Sequence, residues 1–244
     1  MAFVILIPLV LTITPVNPNP DSICKRAEFL FFNRHLHPGY LDSAYQLLAR
    51  ARQLDPHHER TLYLWSRIHT QLGENSSNKG QKIGFFERAK AIAETLQQVN
   101  DKNPDGFMWW AIAQGRIGQT RGVLNSLFMV PSLKKTFNRV LELDPEYPTA
   151  YDALGVLYYE LPSFAGGDLK LAERYLIQGL KLDPNYTLIR LDLARVYLKQ
   201  GRRDDAREQL KLVSNTPKPT YPADFFLDDK PEAEKLLREL ERQQ

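Results

Sequence analysis

Apolar residues recur three and four positions apart along most of the chain, the period of helices that bury one stripe. The stripes come in pairs, and the pairs end at Pro56, Pro104, Pro145 and Pro184. Three of these four prolines follow Leu-Asp: Leu54-Asp55, Leu143-Asp144 and Leu182-Asp183. Proline stops a helix because it has no amide proton and its ring crowds the preceding turn. The stretch Val140–Pro184 shows the unit most plainly. Between its two Leu-Asp-Pro stops lie Tyr151, Leu154, Gly155, Tyr158 and Ala172. Large residues fill the space between two antiparallel helices, and Gly155 and Ala172 mark where the helices cross.

That order is the one found in tetratricopeptide repeats, which have a period of about 34 residues. The other copies follow it with insertions. The first unit, about Lys25 to Pro56, carries Ala44, Leu48 and Ala51 in its second helix, but has Phe32 where a small residue is usual. The second, about Glu59 to Pro104, is too long, since 48 residues separate Pro56 from Pro104. Its excess is expected as a loop at Gly73–Gly84, rich in Asn, Ser and Gly. The third runs from about Phe107 to Pro145. Its apolar run Val123–Val130, ended by Pro131, reads either as a short extra helix or as the kinked start of the second helix. In the fourth unit the excess is Leu161–Asp168, where Gly166-Gly167 predicts a turn and Asp168 an N-cap for a helix over Leu169–Leu182. The fifth, Thr187 to about Pro219, matches without insertion. Beyond it, Pro217–Pro222 reads as an extended crossing packed down by Phe225-Phe226-Leu227. A last helix, Pro231 to about Arg242, reads as the cap that a solenoid needs at its end. The expected fold is therefore an all-α, tetratricopeptide-like solenoid of about five helix pairs with a C-terminal capping helix.

The first 23 residues stand apart from residues 24–244, the solenoid domain. Met1–Ile13 is almost wholly apolar, too short for a spanning helix, and of the length of a secretory h-region. It reads as an export signal or a membrane tether, with an apolar tail packed on the solenoid as the alternative. Pro15, Pro18 and Pro20 predict a linker.

Composition narrows function mostly by exclusion. Apolar residues make up 43% and charged residues 25%, an ordinary globular balance, and the net charge of +3 is too small to point to nucleic acid. One cysteine, Cys24, permits no internal disulfide and holds no metal by itself. His35, His37, His57 and His58 flank the first turns, but no Cys or carboxylate stands at ligand spacing to them; His69 is the fifth histidine. No motif frames a serine as nucleophile. The expectation is a protein without catalytic residues, metal or cofactor.

In solenoids of this kind the first helix of each repeat lines the concave face. By register this selects Phe29, Asn33, Arg60, Tyr63 and Arg67 in the first two repeats. In the last two it selects Asp152, Val156, Tyr159, Leu188, Leu191 and Arg195. Trp110 is expected in the core and Trp109, its neighbour, on the binding surface. Arginines among apolar residues suit an amphipathic anion or a partner's acidic, apolar segment. A plain solvated face is the alternative.

The insertions carry a family likeness. Trp110 with Gly115-Arg116-Ile117-Gly118, Gly122-Val123 to Pro131, and Leu143 to Pro148 contribute to it. Leu161-Pro162-Ser163-Phe164 with Gly166-Gly167-Asp168 carries it most strongly, and the tail from Pro222-Ala223-Asp224 to Lys230-Pro231 also fits. On these residues the chain resembles the T-component of tripartite ATP-independent periplasmic (TRAP) transporters, the TatT-like family. The resemblance implies an exported, periplasmic accessory protein, similar to trimeric lipoproteins. Its partner would be the solute-binding component, and a cavity would accept a hydrophobic solute. Cytoplasmic residence is the alternative, and a general scaffold holding a partner peptide in the groove is the alternative function. A weaker resemblance is to eukaryotic regulators of microtubule dynamics, which carry related repeats.

Overall fold

The predicted pairs are present as antiparallel helices that stack in chain order. The computed structural model describes residues 19–242. The pairs are α1 (Pro20–Phe32) with α2 (Tyr40–Leu54), α3 (Glu59–Asn75) with α4 (Lys79–Val99), and α5 (Pro104–Arg121) with α6 (Val123–Leu143). Then come α7 (Pro148–Glu160) with α8 (Leu169–Leu182), and α9 (Thr187–Lys199) with α10 (Arg203–Ser214). The C-terminal run is α11 (Pro222–Asp224), a π-helical turn over Phe225–Asp229, and α12 (Lys230–Arg242). Among the described residues there is no strand, and no helix is long and apolar enough to cross a membrane. The described residues form an all-α solenoid of five helix pairs with a capping helix.

Small residues sit where paired helices cross, as their spacing predicts. Ala44, Ala89, Ala172 and Ala206 are completely buried. Gly155 lies so close to α8 that a Cβ there would stand 2.6 Å from Leu176 Cγ. In the second pair Ser66 takes the place of glycine, and its hydroxyl donates to the Ala89 carbonyl at 2.9 Å. Between repeats the same turn recurs. A carboxylate or amide caps it by accepting from the amide two residues on: Asp55 from His57, Asp144 from Glu146, and Asp183 from Asn185. These Asx turns are why Asp-Pro recurs at the end of the repeat.

Two expectations need correction, and one open alternative, at Val123–Val130, is decided for the start of the second helix. Gly73–Gly84 is not a loop. α3 and α4 extend to take up the excess and leave only residues 76–78 between them. Gly73 is there for close approach, since a Cβ would fall 2.4 Å from Phe86 Cε1, and Asn78 caps α4 by accepting from the Gln81 amide. Val123–Leu143 is one helix with Pro131 inside it. The first helix begins at Pro20, with the Asn19 side chain accepting from the Ser22 amide, so Pro20 is a helix start and not part of a linker. The apolar run Met1–Ile13 lies outside the described residues.

The insertion at 161–168 is a turn, as expected. Ser163–Ala165 forms one 3-10 turn, and Gly166 takes φ +90°, which an L side chain rarely adopts. Asp168 caps α8 by accepting from the Lys170 and Leu171 amides at 2.9 and 3.0 Å. Gly155→Val would push a branched side chain into Leu176. We expect it to lower stability by ~1–3 kcal/mol, read as a fall in the thermal unfolding midpoint with helical circular dichroism retained at 20 °C.

Candidate functional site

First helices α1, α3 and α5 pack side by side, as do α7 and α9, and the C-terminal segment crosses from α9 back to α1 along this inner side. After α10, Thr220 is pinned to the α8–α9 turn: its amide donates to the Asn185 carbonyl, and its hydroxyl donates to the Asp183 carboxylate. Tyr221 then lies edge-on to Tyr186, ring centroids 5.0 Å apart, and reaches Phe32 of the first repeat at 5.2 Å. Asp224 accepts from Arg34, which is 8% exposed and also donates to Gln71 at 2.9 Å. Phe226 stacks on His35, centroids 4.7 Å apart. The last element thus closes on the first, across 190 residues of sequence.

Between this crossing and the inner wall a cavity of about 260 Å³ remains. Tyr63, Arg67, Asp105, Trp109, Tyr147 and Tyr221 are among its walls. Arg67 is its central group. It is 7% exposed, its Nη1 donates to Tyr63 Oη at 2.7 Å, and its guanidinium lies over four further rings. The distances are 4.6 Å to Phe32, 4.7 Å to Trp109, 4.8 Å to Tyr221 and 5.6 Å to Phe31. Ring faces are negative, so they replace part of the hydration that the cation loses. The Nε of Arg67 and the Nε1 of Trp109 are buried without protein partners. Asp105 accepts from the Tyr147 hydroxyl at 2.5 Å, and burial raises its carboxyl above the usual range against the pull of that bond. The cavity is walled by ionisable groups and is not an apolar tunnel.

The residues selected by register are scattered by the structure. Tyr63, Arg67 and Trp109 meet at the cavity; Trp110 donates instead to Glu94 at 2.8 Å and is half-buried. Phe29 is half-exposed, and Asn33 folds back to donate to the Phe29 carbonyl. Arg60 is exposed and paired with Glu28 at 2.5 Å. Leu191 is buried with Phe225 and Leu210 in the core under the cap. Val156, Tyr159 and Leu188 are half-buried, and the Lys199 ammonium lies 4.4 Å from the Tyr159 ring. Arg195 donates to Asp192 at 2.7 Å and lies 3.9 Å from Glu232 of α12.

Asp152 belongs to a second group, which register alone does not reveal. Asp152, Asp192 and Asp229 are all buried, on α7, α9 and the π-turn. Burial pushes all three carboxyls up, Asp152 most strongly, with Asp192 and Asp229 adding repulsion at Asp152. Asp229 accepts from the Thr187 hydroxyl at 2.6 Å, and burial lifts it to about 7. No group of three or more His, Cys, Asp or Glu among the described residues could hold a metal. His69 is a buried residue of α3 whose ring lies tilted against Trp65, centroids 4.9 Å apart, and His58 caps the same helix.

The residues missed by register are Phe32, Arg34, Asp105, Tyr147, Tyr186 and Tyr221. One signal was available for two of them. Tyr147 and Tyr186 both stand three residues after the repeat's Asp, in Asp144-Pro145-Glu146-Tyr147 and Asp183-Pro184-Asn185-Tyr186. Phe32, Arg34 and Tyr221 depend on the crossing of the C-terminal segment, which no local spacing reports, and Asp105 is placed by the start of α5 against Tyr147.

Fold and inner wall define a tetratricopeptide-like helical scaffold. A tetratricopeptide-repeat family matches residues 163–219, and a thermophilic tetratricopeptide protein from Thermus thermophilus superposes with a TM-score of 0.64. That structure is 21% identical, and the match covers 86% of this chain and 99% of the other. The family described as "Regulator of microtubule dynamics protein 1-3" matches residues 33–173, more than half of the chain. The chain belongs to this family. It is similar to regulator of microtubule dynamics protein 3 of Bos taurus, 22% identical over 75% of this chain and 43% of that protein. It is also similar to regulator of microtubule dynamics protein 1 of Bos taurus, 24% identical over 89% of this chain and 71% of that protein. The chain spans about two-fifths of the length of the protein 3 relatives.

The family match overturns the resemblance to the transporter T-component and reverses the order of the two likenesses. The residues that carried it most strongly, Leu161–Asp168, are set by turn geometry. Gly166 is left-handed, Gly167 lies where a Cβ would meet the Leu161 carbonyl oxygen at 1.9 Å, and Asp168 is a cap. Such residues report a tight connection between two helices and not a partner. The solute-binding partner, the apolar solute and the trimer were implied by that resemblance and lose their basis with it.

The sign of the Asp229 shift makes a prediction. An unfolded Asp titrates near 3.8 and the folded one near 7, so between these values the folded state holds the extra proton. Stability therefore falls as pH rises from about 4 to about 7 and levels off above. Asp229→Asn is expected to flatten this dependence and to raise the melting midpoint at pH 8 by at least ~2 °C, measured by thermal unfolding at pH 5, 6, 7 and 8.

Proposed function

We propose that this chain is a non-catalytic scaffold that holds a segment of another protein against its inner wall, in assemblies that act on microtubules. The family match over residues 33–173 carries the reading, because the relatives are named for that process. The fold supplies the means. First helices that stack side by side make a continuous surface, and Arg67 among Tyr63, Trp109 and Tyr221 is a cation set in aromatic side chains. Arginine and aromatic residues are the types that dominate the centres of protein interfaces.

The groups that most resemble a catalytic set support the scaffold reading. Cys24 Sγ lies 4.0 Å from His58 Nδ1, and His58 Nε2 lies 3.3 Å from Asp21. Yet Cys24 is completely buried, it lies 3.2 Å from the Thr61 hydroxyl, and burial raises its thiol. An activated thiol needs the opposite shift and access to substrate. Asp152, Asp192 and Asp229 are perturbed but are not walls of the cavity, so they do not face a bound molecule there.

The test is purified chain added to dynamic microtubules under total internal reflection microscopy, with co-pelleting on stabilised microtubules. The reading expects a change in growth rate or catastrophe frequency at micromolar protein, or pelleting that depends on an added partner. Unchanged dynamics together with no pelleting, with and without cell extract, would refute it.

A further inference from the structure

We propose that the segment Thr220–Asp229 is an internal ligand of the groove, and that the partner segment recognised there carries the same chemistry. That chemistry is an aromatic residue, a carboxylate three positions on, and a second aromatic two positions beyond, at the start of a helix. This rests on the inner wall being the partner-binding surface, and it names what that surface selects.

The argument begins with the two faces of the segment. One face is a cap. Ala223 is completely buried and Phe225 is 3% exposed, packed with Leu191, Ala194, Leu210 and Val213 of α9 and α10. The other face points along the groove to the first repeat and carries Tyr221, Asp224 and Phe226. The π-turn over Phe225–Asp229 lets adjacent phenylalanines serve both faces: Phe225 goes inward, while Phe226 stays 50% exposed on His35. Turns of this kind cluster at functional sites.

The groove side is shaped for those three side chains. Phe32 stands where this repeat type has a small residue, and its ring meets Tyr221 at 5.2 Å. Arg34 is a nearly buried cation whose carboxylate partner is Asp224. Arg67 adds a second cation 4.8 Å from the Tyr221 ring. A buried arginine is costly without a partner, so the pocket at Arg34 favours a carboxylate from whichever chain supplies it. The latch contacts are also the accessible ones. The Asp224 side chain is 32% exposed and Phe226 50%, whereas the cap contacts of the same segment are closed to solvent. The latch can therefore open while the cap stays packed.

Being tethered, the segment competes with any free peptide at a millimolar effective concentration. A peptide with micromolar intrinsic affinity is then weakened by orders of magnitude in the intact chain. Weakening the latch should restore it.

The experiment titrates a fluorescent peptide of this chain's own residues 217–229 against the full chain and against Tyr221→Ala/Asp224→Ala. The inference expects at least tenfold tighter binding to the double variant than to the unaltered chain. It also expects loss of that binding when the peptide itself carries alanine at the positions of Tyr221 and Asp224. If the double variant loses its helical circular dichroism, Phe226→Ser takes its place, since Phe226 lies outside the cap core. No binding to a folded latch variant, equal binding to variant and unaltered chain, or binding indifferent to the altered peptide each overturns the inference. Such an outcome with altered microtubule dynamics leaves the scaffold reading standing. Peptide binding as expected, with unaltered dynamics and no pelleting with or without cell extract, sinks the proposed function and keeps the internal ligand.

Discussion

A helix pair of this type cannot bury its apolar faces alone. Each pair hides one side in the pair before it and the other in the pair after, so the two ends remain a problem. In this chain one element answers at both ends. α12 and the π-turn cover α9 and α10 through Phe225, Ala233 and Leu240, and the residues just before them reach back to the first repeat. Stacking requires a last layer, and that layer is placed so that it also crosses the inner wall. The cavity and the latch both follow from this crossing.

The closure explains why the inner wall can hold buried arginines. Arg34 and Arg67 would be expensive in an apolar interior. Arg34 has Asp224, Gln71 and the Phe31 carbonyl; Arg67 has the Tyr63 hydroxyl and a surround of rings. Of these partners Asp224 and the Tyr221 ring come from the C-terminal segment, and the others lie in the first three helix pairs. Further along the groove the balance reverses, with Asp152, Asp192 and Asp229 raised by burial. Buried cations gather toward the first repeats and buried carboxyls of raised pKa toward the last.

The helix pairs were legible because their determinants are local: Asp-Pro stops, alanines at crossings and a repeating apolar stripe. Composition misled at Gly73–Gly84, where Gly and Asn serve contact and capping inside a helical pair. At Asn19-Pro20 a proline that by composition fits a linker is the first-turn residue of a helix capped by Asn19. The groove was less legible. Register selects Tyr63, Arg67 and Trp109, which line the cavity, because position along a first helix decides which side chains face inward. It could not find Tyr221, Asp224 or Phe226, whose place depends on a contact 190 residues distant. The likeness to transporter T-components failed for a related reason, since turn glycines and caps answer to backbone geometry, whatever a solenoid binds.

The central claim is that the C-terminal segment is latched to the first repeat through Arg34 and Asp224. A double-mutant cycle measures that contact directly: Arg34→Met, Asp224→Ala and the pair, each unfolded in urea. A latch of this burial predicts a coupling energy of ~1–3 kcal/mol. Strict additivity, with coupling below about 0.3 kcal/mol, would contradict the account.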